Sequence, residues 1–391
     1  MEGFLDVLKS MDFLWEGISE MTWQRWVMYA IGALLIYLAI VKDFEPALLL
    51  PMGFGAILVN IPFTGALNQV IQGQSSEGIV QWLFKVGIEA SEAMPLLLFI
   101  GIGAMIDFGP LLTNPKMFLF GGAAQFGIFA AILFAALCGF QLNDAASIGI
   151  IGAADGPTAI LVSRVLHSDT YMGAIAVAAY SYMAMVPIIQ PFAIKLVTTK
   201  KERMIRMPYS EHKVSKTTRI LFPIIVTMIA GFVAPASVSL VGFLMFGNLL
   251  RECGCLNSLS DTAQTSLVNL ITLLLGLTIA FKMQAADFVN IKTLMIMAIG
   301  LMAFVFDSIG GVMFAKVLNL LPGKKINPMV GGAGISAFPM SARVVQKMGL
   351  QADPTNHLLM HAIGANVAGQ IGSVVAGGVV INLVLNMLGW N

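Results

Sequence analysis

The chain has 391 residues, 22 Lys and Arg against 21 Asp and Glu, and a formal net charge of +1. Only 11% of it is charged and 58% is hydrophobic, with a mean hydropathy of +0.85. A soluble globule must cover itself with polar side chains, so this composition excludes one, and the lack of a cationic excess argues against nucleic-acid binding. A bilayer accepts apolar side chains on the outside, and the sequence therefore reads as an all-α, polytopic membrane protein.

The first 25 residues hold Glu2, Asp6, Asp12, Glu16 and Glu20 and lack the basic start of a cleaved secretory signal. Phe4, Leu8, Met11, Leu14 and Trp15 stand among these acids, a pattern that predicts an amphipathic helix lying on the membrane surface. A crossing needs about 20 mainly apolar residues to span about 30 Å of hydrocarbon. Such runs fall near 26–41, 46–62, 81–106, 117–140, 172–197, 218–234, 237–250, 264–281, 291–320 and 357–388. Two further apolar segments, near 147–166 and 327–347, are interrupted by Gly and Pro. Counted as discontinuous elements, they bring the expectation to ten or eleven crossings.

Residues 195–219 carry eight of the 22 cations: Lys195, Lys200, Lys201, Arg203, Arg206, Lys213, Lys216 and Arg219. Cationic loops stay cytoplasmic. A basic cytoplasmic loop at 198–217 thus divides a first membrane half, 26–197, from a second, 218–391. The halves share three features in the same order, which points to an internal repeat. Asp107 and Pro110–Lys116 are matched by Asp287–Lys292. Gly152–Ile160 with Ser163-Arg-Val165 is matched by Gly332–Met340 with Ala342-Arg-Val344. Gly173–Tyr180 is matched by His361–Ala368. Repeats that each carry a Gly/Pro-broken segment are the pattern of transporters built as two inverted repeats, in which the freed backbone groups line an ion site.

Asp155 stands in Ile150-Ile-Gly-Ala-Ala-Asp-Gly-Pro-Thr158, between apolar stretches. A carboxylate at membrane depth must be paired or ligated, and Gly156-Pro157 breaks the helix beside it. With the Thr158 hydroxyl this is an all-oxygen set suited to a hard cation such as Na⁺. The alternative is a helix N-cap before Gly-Pro. The second broken segment offers Asn327, Ser336 and Ser341, and Arg343 as a bidentate partner for a carboxylate or as a cation snorkelling at a helix end. Tyr182 can relay a proton and Asn366 can ligate an ion, or each can serve as a hydrogen bonder between helices. The carboxylates Glu89, Glu92, Asp107, Asp287 and Asp307 read mostly as interfacial, with no role assigned. His357 and His361 stand one turn apart without the Glu of a zinc-protease motif. Cys138, Cys253 and Cys255 are too few for a disulfide framework.

The runs Gly152–Ile160, Gly173–Met183, Ile326–Ser336, Ala342–Val344 and Asn366–Ser373 resemble the beta subunits of sodium-pumping, biotin-dependent decarboxylases acting on oxaloacetate, methylmalonyl-CoA or glutaconyl-CoA. The resemblance extends from about residue 26 to the C-terminus. It implies a subunit of the bacterial cytoplasmic membrane that decarboxylates carboxybiotin, takes up a proton and exports Na⁺. It implies as partners a carboxyltransferase (alpha) subunit, a biotin carrier subunit and a small membrane-anchor (gamma or delta) subunit. Biotin would sit on the carrier: Lys116, Lys282 and Lys347 each precede Met, and none lies in a Met-Lys-Met sequence. In family terms Asp155, Tyr182 and Arg343 would be catalytic, with Arg343 and Ser336 at carboxybiotin. Asp155, Thr158, Asn327, Gly331, Ser336 and Asn366 would hold Na⁺. A reading of a different class, a stand-alone transporter of an organic acid or a Na⁺/H⁺ antiporter, shares the repeat and the ion site but not the chemistry.

Overall fold

The computed structural model describes residues 13–71, 74–90, 92–208, 214–323 and 325–390. Helix dominates; the strands among the described residues are one hairpin, Asn68–Ile71 paired antiparallel with Gln74–Glu77. Residues 1–12 of the expected surface helix lie outside the described residues. A helix at Phe13–Ser19 follows, and Thr22 accepts a hydrogen bond from the Arg25 amide to start a separate helix, Trp23–Lys42.

The chain packs as two compact units, Met1–Ala93 with Thr272–Thr293, and Met94–Ile271 with Leu294–Asn391. Each unit draws on both sides of the basic loop. In the first, Trp23–Lys42 meets Pro46–Asn60 at Gly32 and Gly53, where a Cβ on either would lie 2.7 Å from the other's carbonyl oxygen. Small residues at such a crossing let two backbones approach where lipid offers no hydrophobic drive. Asn60 then ties in the later segment, donating to the Met283 carbonyl at 2.8 Å and accepting from the Ala285 amide at 2.7 Å.

The membrane assignment rests on where the apolar residues point. Along Lys216–Val233 only Phe222, Pro223 and Ala230 are buried, whereas Leu221, Ile225, Met228, Ile229 and Phe232 are exposed, Phe232 by 84%. A face of that kind is compatible with lipid and not with water. Six helices among the described residues are long and apolar enough to cross, or up to eight with two bent pairs counted as single spans. That is fewer than the ten or eleven expected from the sequence. The difference lies in the two broken elements, which a count of long helices leaves out, and in shorter helices such as Pro46–Asn60 and Val238–Glu252, since 15 residues of helix rise only about 22 Å.

Both interrupted elements lie in the second unit. In the first, the helix Leu142–Gly149 tightens into a 3₁₀ turn, Ile150–Ala153; Ala154 takes a left-handed conformation (φ 52°), and a new helix, Gly156–Val165, begins at Asp155. In the second, Pro328–Gly332 ends in an irregular stretch before the helix Met340–Ala352. The two breaks meet: the Ser336 amide donates to the Ala153 carbonyl at 3.2 Å.

Candidate functional site

Asp155 is the N-cap of the helix Gly156–Val165, and Pro157, which has no amide hydrogen to leave unsatisfied, helps to start that helix. Its Oδ1 accepts from the Thr158 amide at 3.5 Å and its Oδ2 from the Thr158 hydroxyl at 2.7 Å. Two more hydroxyls donate to the same Oδ2 from other elements: Ser373 at 3.1 Å, on the helix Leu359–Leu388, and Ser336 at 3.3 Å, in the second break. Asp155 is 5% exposed, and Thr158, Ser336 and Ser373 are buried with it. The capping and ion-site readings are therefore compatible, because the cap places the carboxylate where three hydroxyl oxygens converge. Each hydroxyl that now donates to Oδ2 keeps lone pairs that can face a cation.

Asn366 braces this arrangement. Its side-chain amide donates to the Ile335 carbonyl at 2.7 Å and more weakly to Ala337 at 3.5 Å, fixing the strand of backbone that carries Ser336. Its Oδ1 is buried and meets no donor among the described residues. Behind Asp155, Gly156 lies flat against a buried aromatic ring; a Cβ there would come within 2.1 Å of Tyr180 Cζ.

The other expected site residues have different partners. The Tyr182 hydroxyl donates to the Met297 carbonyl at 2.5 Å rather than to Asp155. Asn327 donates to the carbonyls of Arg203 and Ile205 at 2.9 and 2.8 Å, so it holds the described part of the basic loop. Gly331 allows close contact with Gly311 of the helix Ile291–Leu318, a Cβ on Gly331 falling 2.0 Å from the Gly311 carbonyl oxygen. Ser341 is buried and accepts from Gln190 at 2.5 Å, a packing contact. Arg343 is exposed on the helix that leads away from the second break. Arg206, in the basic loop, pairs with Asp353 at 2.6 Å. With help from the Thr355 amide and hydroxyl, its guanidinium holds the Asp353 carboxyl down to about 2.

Two residues escaped the sequence reading. Ser373 lies within a quoted motif, yet only its spacing from Asn366, seven residues or two helical turns, marks it as facing the same site. Asp307 was expected near an interface; instead it is fully buried in the middle of a 28-residue helix.

With this geometry in place, the similarity of the chain to known proteins becomes informative. The family model described as the Na⁺-transporting oxaloacetate decarboxylase beta subunit matches residues 24–384. The chain belongs to that family. Among its relatives, the glutaconyl-CoA decarboxylase subunit beta of Acidaminococcus fermentans is 48% identical over 368 residues, covering 94% of this chain and 95% of the relative. The methylmalonyl-CoA decarboxylase subunit beta of Propionigenium modestum is 47% identical over 378 residues, covering 91% and 94%. The oxaloacetate decarboxylase beta chain of Klebsiella pneumoniae is 45% identical over 415 residues, covering 92% and 95%. This chain is accordingly a multi-pass membrane subunit of a Na⁺-transporting decarboxylase, one part of a multi-subunit complex.

Proposed function

We propose that this subunit decarboxylates carboxybiotin brought by a separate carrier, takes up a proton in doing so, and moves Na⁺ outward through a site centred on Asp155. The observation that carries the reading is the convergence of the Thr158, Ser336 and Ser373 hydroxyls on one oxygen of a buried carboxylate where two broken helices meet. Such a carboxylate holds either a cation or a proton, and an entering proton discharges the cation. The Asn366 Oδ1, buried without a donor among the described residues, is a further oxygen for Na⁺. Asn327 and Gly331 support the second break from its far side, through the basic loop and through Gly311.

Carboxybiotin is a carbamate anion, and an exposed guanidinium is the natural group to receive it. We assign that role to Arg343, with Ser336 and Tyr182 serving the bound substrate and its proton. The partners in this reading are a carboxyltransferase (alpha) subunit, the biotin carrier and a small membrane-anchor (gamma or delta) subunit, in a bacterial cytoplasmic membrane. The acyl substrate is selected by the carboxyltransferase, in keeping with relatives named for three different acyl groups. The halves 26–197 and 218–391 are read as inverted repeats around the basic loop, each contributing one break.

The test is uptake of radiolabelled Na⁺ into proteoliposomes holding the whole complex. Uptake should require the acyl substrate and stop when avidin masks the biotin. Na⁺ movement by this chain alone, indifferent to both, would establish the stand-alone transporter instead.

A further inference from the structure

Asp307 is a fully buried carboxylate to which the reading above gives no part. It is 0% exposed and lies on the helix Ile291–Leu318, sixteen residues from the start and eleven from the end. Eleven residues of helix rise about 16 Å, which puts the carboxyl near the middle of a span. Its Oδ1 accepts from the amides of Gly127 and Ile128 at 2.5 and 3.2 Å, capping the helix Phe126–Leu137 from outside. Its Oδ2 is buried and meets no donor among the described residues. That oxygen faces the first broken element: a Cβ on Gly152 would lie 2.7 Å from it.

The charge on this group needs compensation that the surrounding side chains do not supply. The two elements whose backbone its carboxyl oxygens approach, Phe126–Leu137 and Ile150–Ala153, contain no titratable residue. On its own helix the nearest cation in sequence is Lys316, which is paired with Glu202 at 2.9 Å. Two amides at a helix N-terminus stabilise Oδ1 but carry only partial charge. An unpaired full charge at mid-span is strongly disfavoured, and what remains to neutralise it is a proton on Oδ2 or a small cation beside it. Gly152 lets the backbone of the 3₁₀ turn Ile150–Ala153 come close to that oxygen, and the carbonyls of such a turn are less well satisfied than those of an α-helix.

We propose that Asp307 is a second monovalent-cation site, holding Na⁺ or H⁺ against the 3₁₀ turn that leads to Asp155. The argument is independent of the role given to Asp155.

The test uses the assembled complex carrying Asp307→Asn, which keeps the oxygen that the Gly127 and Ile128 amides need. Bound Na⁺ is counted at saturation, and the infrared difference spectrum is searched for a protonated-carboxyl band. If Na⁺ is the occupant, the variant binds one Na⁺ fewer than wild type, and it still loses that ion when Asp155→Asn is also present. If a proton is the occupant, the Na⁺ count is unchanged and one carboxyl band disappears. An unchanged Na⁺ count together with an unchanged spectrum overturns the proposal. Should the variant fail to assemble, the wild-type complex is treated with a hydrophobic carbodiimide, which modifies protonated carboxyls in membranes. Modification of Asp307 that Na⁺ or high pH suppresses supports the site, and absence of label on Asp307 overturns it.

Discussion

Replacing Asp155 with Asn removes one charge and little else. The variant keeps an oxygen for the Thr158 amide, now 3.5 Å from Oδ1, while its NH₂ takes the position of Oδ2. The three hydroxyls at 2.7, 3.1 and 3.3 Å can rotate from donating to accepting, so the fold should survive. What is lost is the attraction between a carboxylate and Na⁺. At an effective dielectric near 20 and 4 Å separation, opposite unit charges attract by about 4 kcal/mol. That is roughly a thousandfold in affinity at about 1.4 kcal/mol per decade. The Na⁺ concentration giving half-maximal decarboxylation by the assembled complex should therefore rise by at least roughly a hundredfold, allowing for relaxation of the site. On the proposed function Na⁺ and H⁺ compete for this carboxylate in wild type, so apparent Na⁺ affinity should weaken as pH falls. In Asp155→Asn that dependence should disappear. The assay is decarboxylation against Na⁺ concentration at several pH values, with assembly checked by copurification of the partner subunits. A variant whose Na⁺ requirement stays within threefold of wild type would show that Asp155 is a helix cap and nothing more.

Arg343→Ala should abolish carboxybiotin decarboxylation in the complex while Arg164→Ala keeps most of it; equal, mild losses would return Arg343 to a snorkelling role. Gly156→Ala should inactivate, because its Cβ would fall 2.1 Å from Tyr180 Cζ and displace the neighbouring Asp155, at an overpacking cost of about 1–3 kcal/mol. Tyr180→Phe should be nearly silent by comparison, since the Tyr180 hydroxyl has no partner among the described residues; a thermal melt and an activity assay of the two variants separate these outcomes. Arg206 holds the Asp353 carboxyl at about 2, below its unfolded value of about 3.9. A depressed carboxyl stabilises above the unfolded value and loses that contribution as pH falls towards 2. Proteolysis or hydrogen exchange of the loop around 198–208 should therefore be unchanged from pH 8 to 5 and rise below about pH 4, and Arg206→Ala should remove that transition.

The sequence made the membrane class and both breaks legible, because composition and Gly/Pro interruption are local properties. Asp155, Thr158 and Ser336 could be singled out for the same reason, as a carboxylate and hydroxyls beside the breaks, and the structure brings the three together. Tyr182 and Asn327 show the limit. Their partners, Met297 and Ile205, are 115 and 122 residues away, and residue type alone does not choose between an ion and a distant carbonyl. Ser373 was hidden in a Gly-rich helix face, where a serine reads as packing. Asp307 was misplaced because sequence position along a long apolar run does not tell which residues of a 28-residue helix sit at its middle.

The construction of the Asp155 site bears on how a bound ion would leave it. Its oxygens come from three separately anchored pieces of chain: Asp155 and Thr158 from the first break, Ser336 from the second, and Ser373 and Asn366 from the helix Leu359–Leu388. The first and second pieces are joined at this point by a single described backbone bond, Ser336 amide to Ala153 carbonyl. The second and third are joined by the Asn366 side chain. A small displacement of the second break therefore removes the Ser336 hydroxyl and loosens the Asn366 brace together, while the carboxylate stays capped on its own helix. The strength of cation binding depends steeply on the number of oxygens in contact, so such a displacement weakens Na⁺ far more than it weakens a proton, which needs only Asp155 itself. On the proposed function, exchange of Na⁺ for H⁺ at Asp155 would then need only a displacement of its neighbours in the second break.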